Sequence, residues 1–532
     1  MSRVPRWRLV TAIVVALLAT LAAVVYALHK PRGLISGPCT SSQTIARIPA
    51  PGAQLTAQLT TAHGPGPHGL VVMPSSWALD ETQYQFVADL FASRCFDVVA
   101  YTQRGFRNST GRIDFAGPRT VDDVSTVIDW ALAHTDADSS RIGMLGTSYG
   151  GGVALLAAEH DPRIKAVVAL STWTDWAGSF DQNDTLSRYN LNVLLANVAA
   201  QQWGRLDRTM ASLEARVRDD GTSAQRLVRT LSPERSPITH VAALNRNHTA
   251  VMLANGWQDA LLPPGQLVRF YDELTGPKRL ELKVGDHQEA EYTGFFGHAV
   301  GPVGDGLAWL EHYLDGLNTG IQSQPPVQLD DSTTKQTIGY AAFPTKLSPP
   351  VDLARPNSGS TAGTRPGTWT ATIAGGADTV ADAPPQHTDF KQPYPFAQVS
   401  MSKIDPGHGF VWSLPPVPAE ATFTGSAHVR LNVTSSTSTA SLFFYLYDVN
   451  SSGTGRLMSV TPDTVTGLSL DKPERVDLTL QPMSWTTPAG DHIALVVDTV
   501  DPYWTSATPA RSTVTVSSSA STPVELQLPE LR

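Results

Sequence analysis

The stretch Gly146-Thr147-Ser148-Tyr149-Gly150-Gly151 decides how this chain is interpreted. An apolar run at residues 141–145 precedes it, and a helical pattern of small residues at 151–160 follows it. This order predicts a strand that turns sharply into a helix, with a serine at the turn. Glycines two residues before and after Ser148 leave the cramped turn the space it needs. The pattern therefore predicts a nucleophile elbow, with the Ser148 hydroxyl exposed at the carboxyl edge of a sheet, above a helix N-terminus.

Composition narrows the class of protein. The chain has 532 residues, of which 41% are hydrophobic and 16% are charged, as in folded globular proteins. Its length exceeds one ordinary core and predicts two or three domains. The formal net charge is −9, and the sequence has no cluster of lysine and arginine. Because binding phosphates needs clustered basic side chains, a nucleic-acid partner is not expected.

Residues 9–28 form an apolar stretch without a charge, long enough as a helix to cross the core of a bilayer. Three arginines precede it within the first eight residues, and Lys30 and Arg32 follow it. Two interpretations of residues 1–32 stay open, an uncleaved signal anchor (a transmembrane helix) or a long signal peptide. Both predict that the rest of the chain is extracytoplasmic, either membrane-anchored or secreted.

The chain has two cysteines, Cys39 and Cys95. An oxidising compartment favours a disulfide between them, which would stabilise the fold by about 4 kcal/mol on the chain-entropy model. Two unpaired buried thiols are the alternative. Their spacing does not suggest metal ligation, and we expect no metal and no other cofactor.

Short apolar runs alternate with helical patterns through the first 320 residues, after a segment rich in proline, glycine and threonine at 49–68. This alternation predicts an α/β fold, a mostly parallel sheet covered by helices on both faces. The predicted strands are residues 69–73, 97–101, 141–145, 166–170, 250–254 and 280–284. The predicted helices are residues 81–93, 121–134, 150–160, 266–274 and 306–317. Ligands of such sheets bind at the carboxyl ends of strands, where Ser148 lies.

Two regions depart from this alternation. Residues 172–247 hold helical segments without a clear strand, which predicts a helical cap inserted over the active site. From about Gln322 the composition shifts to proline, threonine, serine and valine, with alternating runs at 428–433, 442–449, 474–480 and 492–498. That pattern is typical of an all-β sandwich. We therefore predict an α/β domain over residues 33–321 and a β-sandwich over residues 322–532.

A serine hydroxyl needs a general base to become a good nucleophile, and the base needs a carboxylate that orients it. In α/β-hydrolases these residues follow the order Ser, then Asp or Glu, then His, on loops after successive strands. Asp259 follows the predicted strand at 250–254, and His287 follows the one at 280–284. We predict Asp259 as the orienting residue and His287 as the general base.

Each of these assignments has an alternative. Asp259 is otherwise a turn residue that caps the next helix, and His287 is otherwise a surface histidine. His298, in an aromatic and glycine-rich loop, is the second candidate for the base. Asp286 and Asp272 are expected to be solvated rather than catalytic.

Acyl transfer also needs hydrogen-bond donors for the oxyanion. The backbone N–H of Tyr149 is the first predicted donor, because it directly follows the nucleophile. The second is predicted in the loop after strand 69–73, at Ser75 or Ser76, because Pro74 has no N–H. A plain strand-to-helix turn is the alternative for this loop.

The chain resembles the Xaa-Pro dipeptidyl-peptidase/cocaine-esterase family of α/β-hydrolases over residues 65–505. The resemblance lies in residues 129–175, in residues 255–264 and, in part, in the loop Arg104-Gly105-Phe106-Arg107-Asn108-Ser109-Thr110-Gly111. Downstream, residues 424–427, 446–449 and 488–491 resemble the C-terminal jelly-roll domain of the family. The resemblance implies a serine hydrolase of esters or amides with Ser148, Asp259 and His287 as its triad. It also implies a helical cap and a β-sandwich that helps frame the substrate pocket.

The sequence departs from the family in two places. Thr102-Gln103 stands before Arg104-Gly105, where the family usually has an aspartate. The tyrosine that supplies an oxyanion donor in some members is not found at residues 75–77.

The leading hypothesis is an exported serine hydrolase acting on a small ester, an amide or a short peptide with a penultimate proline. A dipeptidyl-peptidase must hold a free ammonium group with a carboxylate, and the cap offers Asp175, Asp181 and Asp184. A solvated acidic face is the alternative for these three residues. Trp173 and Trp176 are expected either to line an acyl pocket or to pack beneath the cap.

Two other functions stay open. One is a catalytically silent cell-envelope protein that binds a glycan or a protein through its β-sandwich. Such a protein would have no chemical reason to keep a serine, an aspartate and a histidine in this order. The other is a transferase, in which an alcohol outcompetes water for the acyl group.

Overall fold

The computed structural model describes residues 37–200, 202–358, 367–381 and 398–531. An α/β part built on one ten-stranded sheet is followed by an all-β part. The predicted membrane segment, residues 9–28, lies outside the described residues, as does the whole of the predicted signal region, residues 1–32. Within the described ranges, no helix combines the length and the apolar character that crossing a bilayer requires.

The α/β part and its cap contain twelve of the described strands. These are β1 (Thr40–Ala50), β2 (Ala53–His63), β3 (Gly69–Pro74), β4 (Phe96–Tyr101), β5 (Ile142–Thr147), β6 (Ile164–Leu170), β7 (Asp181–Gln182), β8 (Thr185–Leu186), β9 (Ala250–Gly256), β10 (Lys278–Lys283), β11 (Val327–Asp330) and β12 (Thr337–Tyr340). The central sheet has the order β1-β2-β4-β3-β5-β6-β9-β10-β11-β12. Pairing is parallel from β4 to β11 and antiparallel towards both edges.

Helices cover both faces of the sheet, as the alternating pattern predicted. They are α1 (Gln85–Ser93), α2 (Pro118–His134), α3 (Tyr149–His160), α4 (Trp176–Phe180), α5 (Arg188–Ala200), α6 (Arg208–Asp219), α7 (Gly221–Arg235), α8 (Pro237–Asn247), α9 (Gly265–Glu273), α10 (Tyr292–Phe295) and α11 (Gly301–Asp315). Successive residues of a strand point to opposite faces, so Leu70 and Val72 pack in the core with α2 and α3. Val71 and Met73 pack in a second core with α1 and α11.

The segment between β6 and β9 forms the cap, with α4 to α8 and the short ribbon β7–β8. The ribbon meets the C-terminal part of the chain. The Thr464 N–H donates to the Asn183 carbonyl at 2.9 Å, and the Asn183 amide donates to the Pro462 carbonyl at 3.0 Å. The cap is therefore held from both the sheet and the C-terminal domain.

Two elements of the sheet differ from the sequence prediction. The hairpin β1–β2 occupies residues 40–63, where the sequence showed no strand. Most of β1 is exposed, and β2 buries threonine and glutamine beside apolar residues, so neither strand has the alternation that marks a strand. The sheet also continues past the boundary predicted near Gln322, because β11 pairs with β10 and β12 pairs with β11.

The C-terminal part is an all-β domain, as predicted. Its strands are β13 (Val351–Asp352), β14 (Trp369–Ala374), β15 (Gln398–Ser400), β16 (Phe410–Ser413), β17 (Ala421–Gly425), β18 (His428–Ser435), β19 (Thr439–Val449), β20 (Thr454–Thr466), β21 (Glu474–Thr479), β22 (Met483–Thr487), β23 (His492–Asp498), β24 (Thr513–Ser518) and β25 (Glu525–Gln527). One sheet has the order β13-β25-β18-β24-β14, with β21 also paired to β18. The other has the order β15-β20-β19-β23-β16. Both sheets contribute side chains to one apolar core.

Cys39 and Cys95 form a disulfide. The bond joins the start of the edge hairpin to the segment between α1 and β4. His68 lies close enough for its ring and the two sulfurs to fall within 4.8 Å of one another. Because sulfurs bonded to each other are not thiolates, this group is not a metal-ligand set in the structure.

Candidate active site

Ser148 lies in a sharp turn between β5 and α3, with φ of 55° and ψ of −121°. A residue with a side chain rarely adopts such a positive φ. The flanking glycines make the turn possible. A Cβ atom on Gly146 would lie 2.2 Å from the Gly150 carbonyl oxygen, and one on Gly150 would lie 2.1 Å from the Pro74 carbonyl oxygen. The local sequence thus produces a strained elbow that presents a serine.

Three side chains from three loops meet at this elbow. His287 Nε2 lies 2.9 Å from Ser148 Oγ, and His287 Nδ1 lies 2.8 Å from Asp259 Oδ2. Asp259 Oδ1 accepts the N–H groups of Leu261 at 3.0 Å and Leu262 at 2.8 Å. Since an ionised carboxylate only accepts, Nδ1 carries the proton and Nε2 is free to accept one from the serine hydroxyl.

The base is enclosed by acids. The His287 side chain is 12% exposed and that of Asp259 is fully buried. Burial by itself lowers the pKa of His287, but Asp259, Asp286 and Glu291 outweigh it, so the pKa lies above the ordinary 6.5. Burial raises the pKa of Asp286 to about 7, and the charge of Asp259 adds to that shift. The imidazolium is therefore stabilised within the site.

The competing candidates lie elsewhere. His298 is exposed, and Asp272 is exposed on α9. Asp286 is half-buried, which corrects the expectation that it is solvated. Its carboxylate accepts the backbone N–H of His287 at 2.7 Å and so holds the loop rather than the imidazole ring. Asp259 is the carboxylate that contacts the ring.

The predicted second oxyanion donor is corrected. The Ser75 N–H donates to the Tyr101 carbonyl at 3.0 Å, and the Ser76 N–H donates to Gln83 Oε1 at 2.9 Å. Neither amide is free to bind an oxyanion in this structure. Tyr149 is the first residue of α3, so its N–H belongs to the group that a helix leaves without an intrahelical partner.

The departure from the family pattern at Gln103 accounts for the position of Ser75. The Gln103 side-chain amide donates to the Ser75 carbonyl at 2.5 Å, and the Gln103 N–H donates to the Ser75 hydroxyl at 3.3 Å. Arg104, the next residue, makes a buried ion pair with Asp123 at 2.6 Å. Gln103 and Arg104 therefore have a structural role, and Gln103 holds Ser75 next to the end of β4.

Sequence reasoning missed two glutamines that steady the elbow. Gln83 and Gln288 donate to the Ser76 hydroxyl at 2.8 Å and 3.3 Å. That hydroxyl donates to the Thr147 carbonyl at 2.9 Å, one residue before the nucleophile. No local pattern marks this cluster, because Ser76 and Gln288 lie 212 residues apart.

An apolar cavity, the serine cavity, opens beside Ser148. Its walls are formed by Trp77, Phe115, Tyr149, Trp173, Phe180, Leu194, Leu261 and Leu262. Its volume is about 10 Å³, close to the minimum that one water molecule requires. Trp173 borders this cavity. Trp176 packs behind it, with its ring centroid 5.3 Å from that of Phe115, so one tryptophan lines the pocket and the other supports it.

The three acids of the cap do not border the serine cavity. Asp175 pairs with Arg269 at 3.2 Å, and Arg229 pairs with Asp181 at 2.5 Å and with Asp184 at 2.8 Å. All three acids line a different space, a cleft of about 650 Å³ between the cap and the C-terminal domain. Each acid thus already has a cationic partner.

The loop that carries Asp259 is supported by the cap and the C-terminal domain. The Asn190 amide donates to the Ala260 carbonyl at 2.8 Å. Gln481 Oε1 accepts the Gly265 N–H at 2.9 Å. Ala260 also packs against the apolar cluster of the C-terminal domain that contains Tyr503. The C-terminal domain therefore stabilises the loop of Asp259. It adds no side chain to the group of Ser148, His287 and Asp259.

The fold and the site define this protein as a serine hydrolase of the α/β-hydrolase type. Residues 51–289 match the family model of the X-Pro dipeptidyl-peptidase (S15 family). Residues 319–527 match that of the X-Pro dipeptidyl-peptidase C-terminal non-catalytic domain. The chain belongs to this Xaa-Pro dipeptidyl-peptidase/cocaine-esterase-like family, as its motifs indicated.

Individual relatives are distant. A putative Xaa-Pro dipeptidyl-peptidase from Streptomyces avermitilis is 25% identical over 390 residues, which cover 68% of this chain and 53% of that protein. This chain thus spans about half the length of that relative.

Two solved structures share the fold. An aminopeptidase from a marine sediment archaeon, a thaumarchaeon, has a TM-score of 0.72 at 16% identity, covering 92% of this chain and 96% of that one. A CocE/NonD family hydrolase from Staphylococcus aureus has a TM-score of 0.71 at 13% identity, covering 92% and 94%.

Proposed function

We propose that this protein hydrolyses an ester or amide with an uncharged, apolar acyl group, through an acyl-enzyme on Ser148. The observation that carries the proposal is the hydrogen-bonded series from Ser148 through His287 to Asp259, beside the serine cavity. His287 Nε2 takes the hydroxyl proton as Ser148 Oγ attacks the carbonyl carbon, and it then gives that proton to the leaving group. Water attacks the acyl-enzyme with His287 again as base, which releases the acid and restores Ser148.

Asp259 serves this cycle in two ways. It holds the imidazole in the tautomer that accepts a proton on Nε2, and its charge stabilises the imidazolium that forms. The N–H of Tyr149 at the start of α3 is proposed as one oxyanion donor, in a helix N-terminus that favours negative charge.

The lining of the serine cavity supports an apolar acyl group. None of the described residues that form its walls is charged. The ammonium group of a dipeptide would therefore lose its hydration there without meeting a carboxylate. Because the cavity has room for about one water molecule, an acyl chain must displace a cap side chain such as Leu194 or Phe180.

Labelling with a fluorophosphonate probe tests the nucleophile. The full chain should be labelled, Ser148→Ala should not, and Ser140→Ala, at an exposed turn, should match the wild type. Equal labelling of the wild type and Ser148→Ala would overturn the proposal in favour of a catalytically silent binding protein.

A substrate panel tests the acyl group. We expect hydrolysis of p-nitrophenyl esters to exceed that of Gly-Pro and Ala-Pro p-nitroanilides in kcat/KM. Preference for the anilides would assign the enzyme to dipeptide release, as in the name of its family. Product transfer to an added alcohol at the expense of hydrolysis would assign it to the transferases.

We also propose that the enzyme acts outside the cytoplasm, either membrane-anchored or secreted. The disulfide between Cys39 and Cys95 supports this location, because such bonds persist in oxidising compartments. The apolar residues 9–28 support it as a signal for export. Protease added to intact cells should digest the full chain if it is anchored outside. Complete protection, with no protein in the medium, would refute this location.

A further inference from the structure

A buried acid, Glu291, lies four residues after His287 and is 1% exposed. The Ser171 hydroxyl donates to Glu291 Oε1 at 2.7 Å. The Gln288 N–H donates to the same Ser171 hydroxyl oxygen at 3.1 Å. Because an amide N–H only donates, the hydroxyl proton of Ser171 is committed to Glu291. One hydroxyl thus connects the glutamate to the residue that directly follows His287.

Ser171 also connects this acid to the nucleophile. It follows Leu170, the last residue of β6, whose carbonyl accepts the Ser148 N–H at 2.8 Å. The Ser171 N–H itself donates to the Ala254 carbonyl of β9 at 2.7 Å. The nucleophile and the loop of the base are therefore both fixed to the end of β6.

The backbone at this junction is strained. Ser171 has φ of 41° and Gln288 has φ of 66°. Residues with side chains keep such conformations only where their surroundings over-determine them, and these residues cluster at functional sites. Here the two strained residues are hydrogen-bonded to each other, since the Gln288 N–H donates to the Ser171 hydroxyl. That hydroxyl in turn donates to Glu291.

The second carboxylate oxygen of Glu291 lies in the same buried environment. Oε2 is buried and has no hydrogen-bond partner among the described residues. The charge of His287 lowers the pKa of Glu291, and the charge of Asp259 raises it. Glu291 in turn raises the pKa of the Tyr84 hydroxyl. Burial raises the pKa of Glu291 to about 7. With Asp286, Glu291 adds to the negative charge that Asp259 places around the imidazole.

We propose that Glu291 is a positioning residue of the active site. Through Ser171 it holds the loop that presents His287, and its ionised form favours the imidazolium. The inference rests on the proposed function, because it concerns the general base of that reaction.

The test compares Glu291→Gln with Glu159→Gln in the full chain. Glutamine at 291 keeps an acceptor for Ser171 and removes the charge. Glu159 on α3 is also buried, and both of its oxygens lack a hydrogen-bond partner among the described residues, so it matches Glu291 in burial. Glu291→Gln should lower the pKa of His287, measured from its low-field ring-proton resonance, because it removes one of the negative charges that favour the imidazolium. The acid limb of kcat/KM should move to lower pH by the same amount, and Glu159→Gln should change neither.

An unchanged His287 resonance and acid limb in Glu291→Gln would overturn the proposal, even if the variant melts at a lower temperature. The resonance is read without substrate, so this failure differs from that of the proposed function, which would appear as labelling independent of Ser148. Ser171→Ala provides a second measurement if Glu291→Gln does not fold. It removes the link and keeps the carboxyl group, so kcat should fall about tenfold or more with KM little changed. Wild-type kcat in Ser171→Ala would overturn the positioning role.

Discussion

Replacing Asp259 with asparagine tests the direction of the proposed proton transfer. In the structure Asp259 Oδ1 accepts two backbone N–H groups, those of Leu261 and Leu262. An asparagine would keep its carbonyl oxygen there, since its NH2 group would face two donors. The NH2 group would then face His287 Nδ1 and require Nδ1 to accept. The imidazole would carry its proton on Nε2, where it cannot take one from Ser148.

The size of the effect follows from this reversal. A wrong tautomer in a serine-protease triad lowers kcat about 10⁴-fold, which corresponds to about 5.4 kcal/mol in the activation barrier. In this protein the N–H groups of Leu261 and Leu262 fix the orientation of the asparagine amide. That orientation favours the same wrong tautomer, with the imidazole proton on Nε2. We therefore expect Asp259→Asn to lose about four orders of magnitude in kcat while it remains folded.

The assay is the initial rate of p-nitrophenyl ester hydrolysis at a pH well above the acid limb, together with the rate of fluorophosphonate labelling. Asp286→Asn is the matched control, because Asp286 accepts the backbone N–H of His287 and asparagine can do the same. It should lose far less activity than Asp259→Asn, because the imidazole ring is hydrogen-bonded to Asp259. The reasoning is refuted if Asp259→Asn keeps a tenth of the activity, or if Asp286→Asn loses as much as Asp259→Asn does.

Three further predictions concern pH, stability and substrate size. As the pH is lowered, kcat/KM should begin to fall at a pH above 6.5, because His287 must be neutral to accept a proton and its acidic neighbours raise its pKa. A kcat/KM profile that stays flat down to pH 6 would contradict this prediction. The double variant Cys39→Ser, Cys95→Ser should lose about 4 kcal/mol of unfolding free energy on the chain-entropy model, because the bond joins residues 56 apart. Calorimetry of the full chain should show a lower melting temperature for this variant. An unchanged melting temperature would contradict the predicted contribution of the disulfide. Leu194→Ala should raise kcat/KM about tenfold for esters with longer acyl chains relative to acetyl esters. Leu227→Ala, elsewhere in the cap, should leave the chain-length preference unchanged. Equal preferences in the two variants would reject the serine cavity as the acyl site.

The sequence predicted best what depends on strand order. Ser148, Asp259 and His287 each follow a strand, and the carboxyl ends of parallel strands meet at one edge of a sheet. The structure brings these three side chains together there. The glycines around Ser148 were informative for a similar reason, since the turn leaves no space for a Cβ atom at their positions.

The parts that the sequence did not predict depend on hydrogen bonds between distant residues. Ser75 and Ser76 had the right position for an oxyanion donor, but their N–H groups are taken by Tyr101 and Gln83. Nothing local distinguishes a free amide from an occupied one. No local pattern marks Glu291, because its proposed role depends on its burial and on Ser171, which lies 120 residues earlier in the chain.

The contact between Gln481 and Gly265 makes the two halves of the chain interdependent. An excised α/β half would lose this contact and would expose the face where Ala260 is now covered, although Trp257 and Gln258 would still fix the start of the Asp259 loop within the α/β part. We therefore expect loss of the docked sandwich to lower the activity while the nucleophile stays in place. Separation of the domains would then act on catalysis through the orienting carboxylate rather than through Ser148.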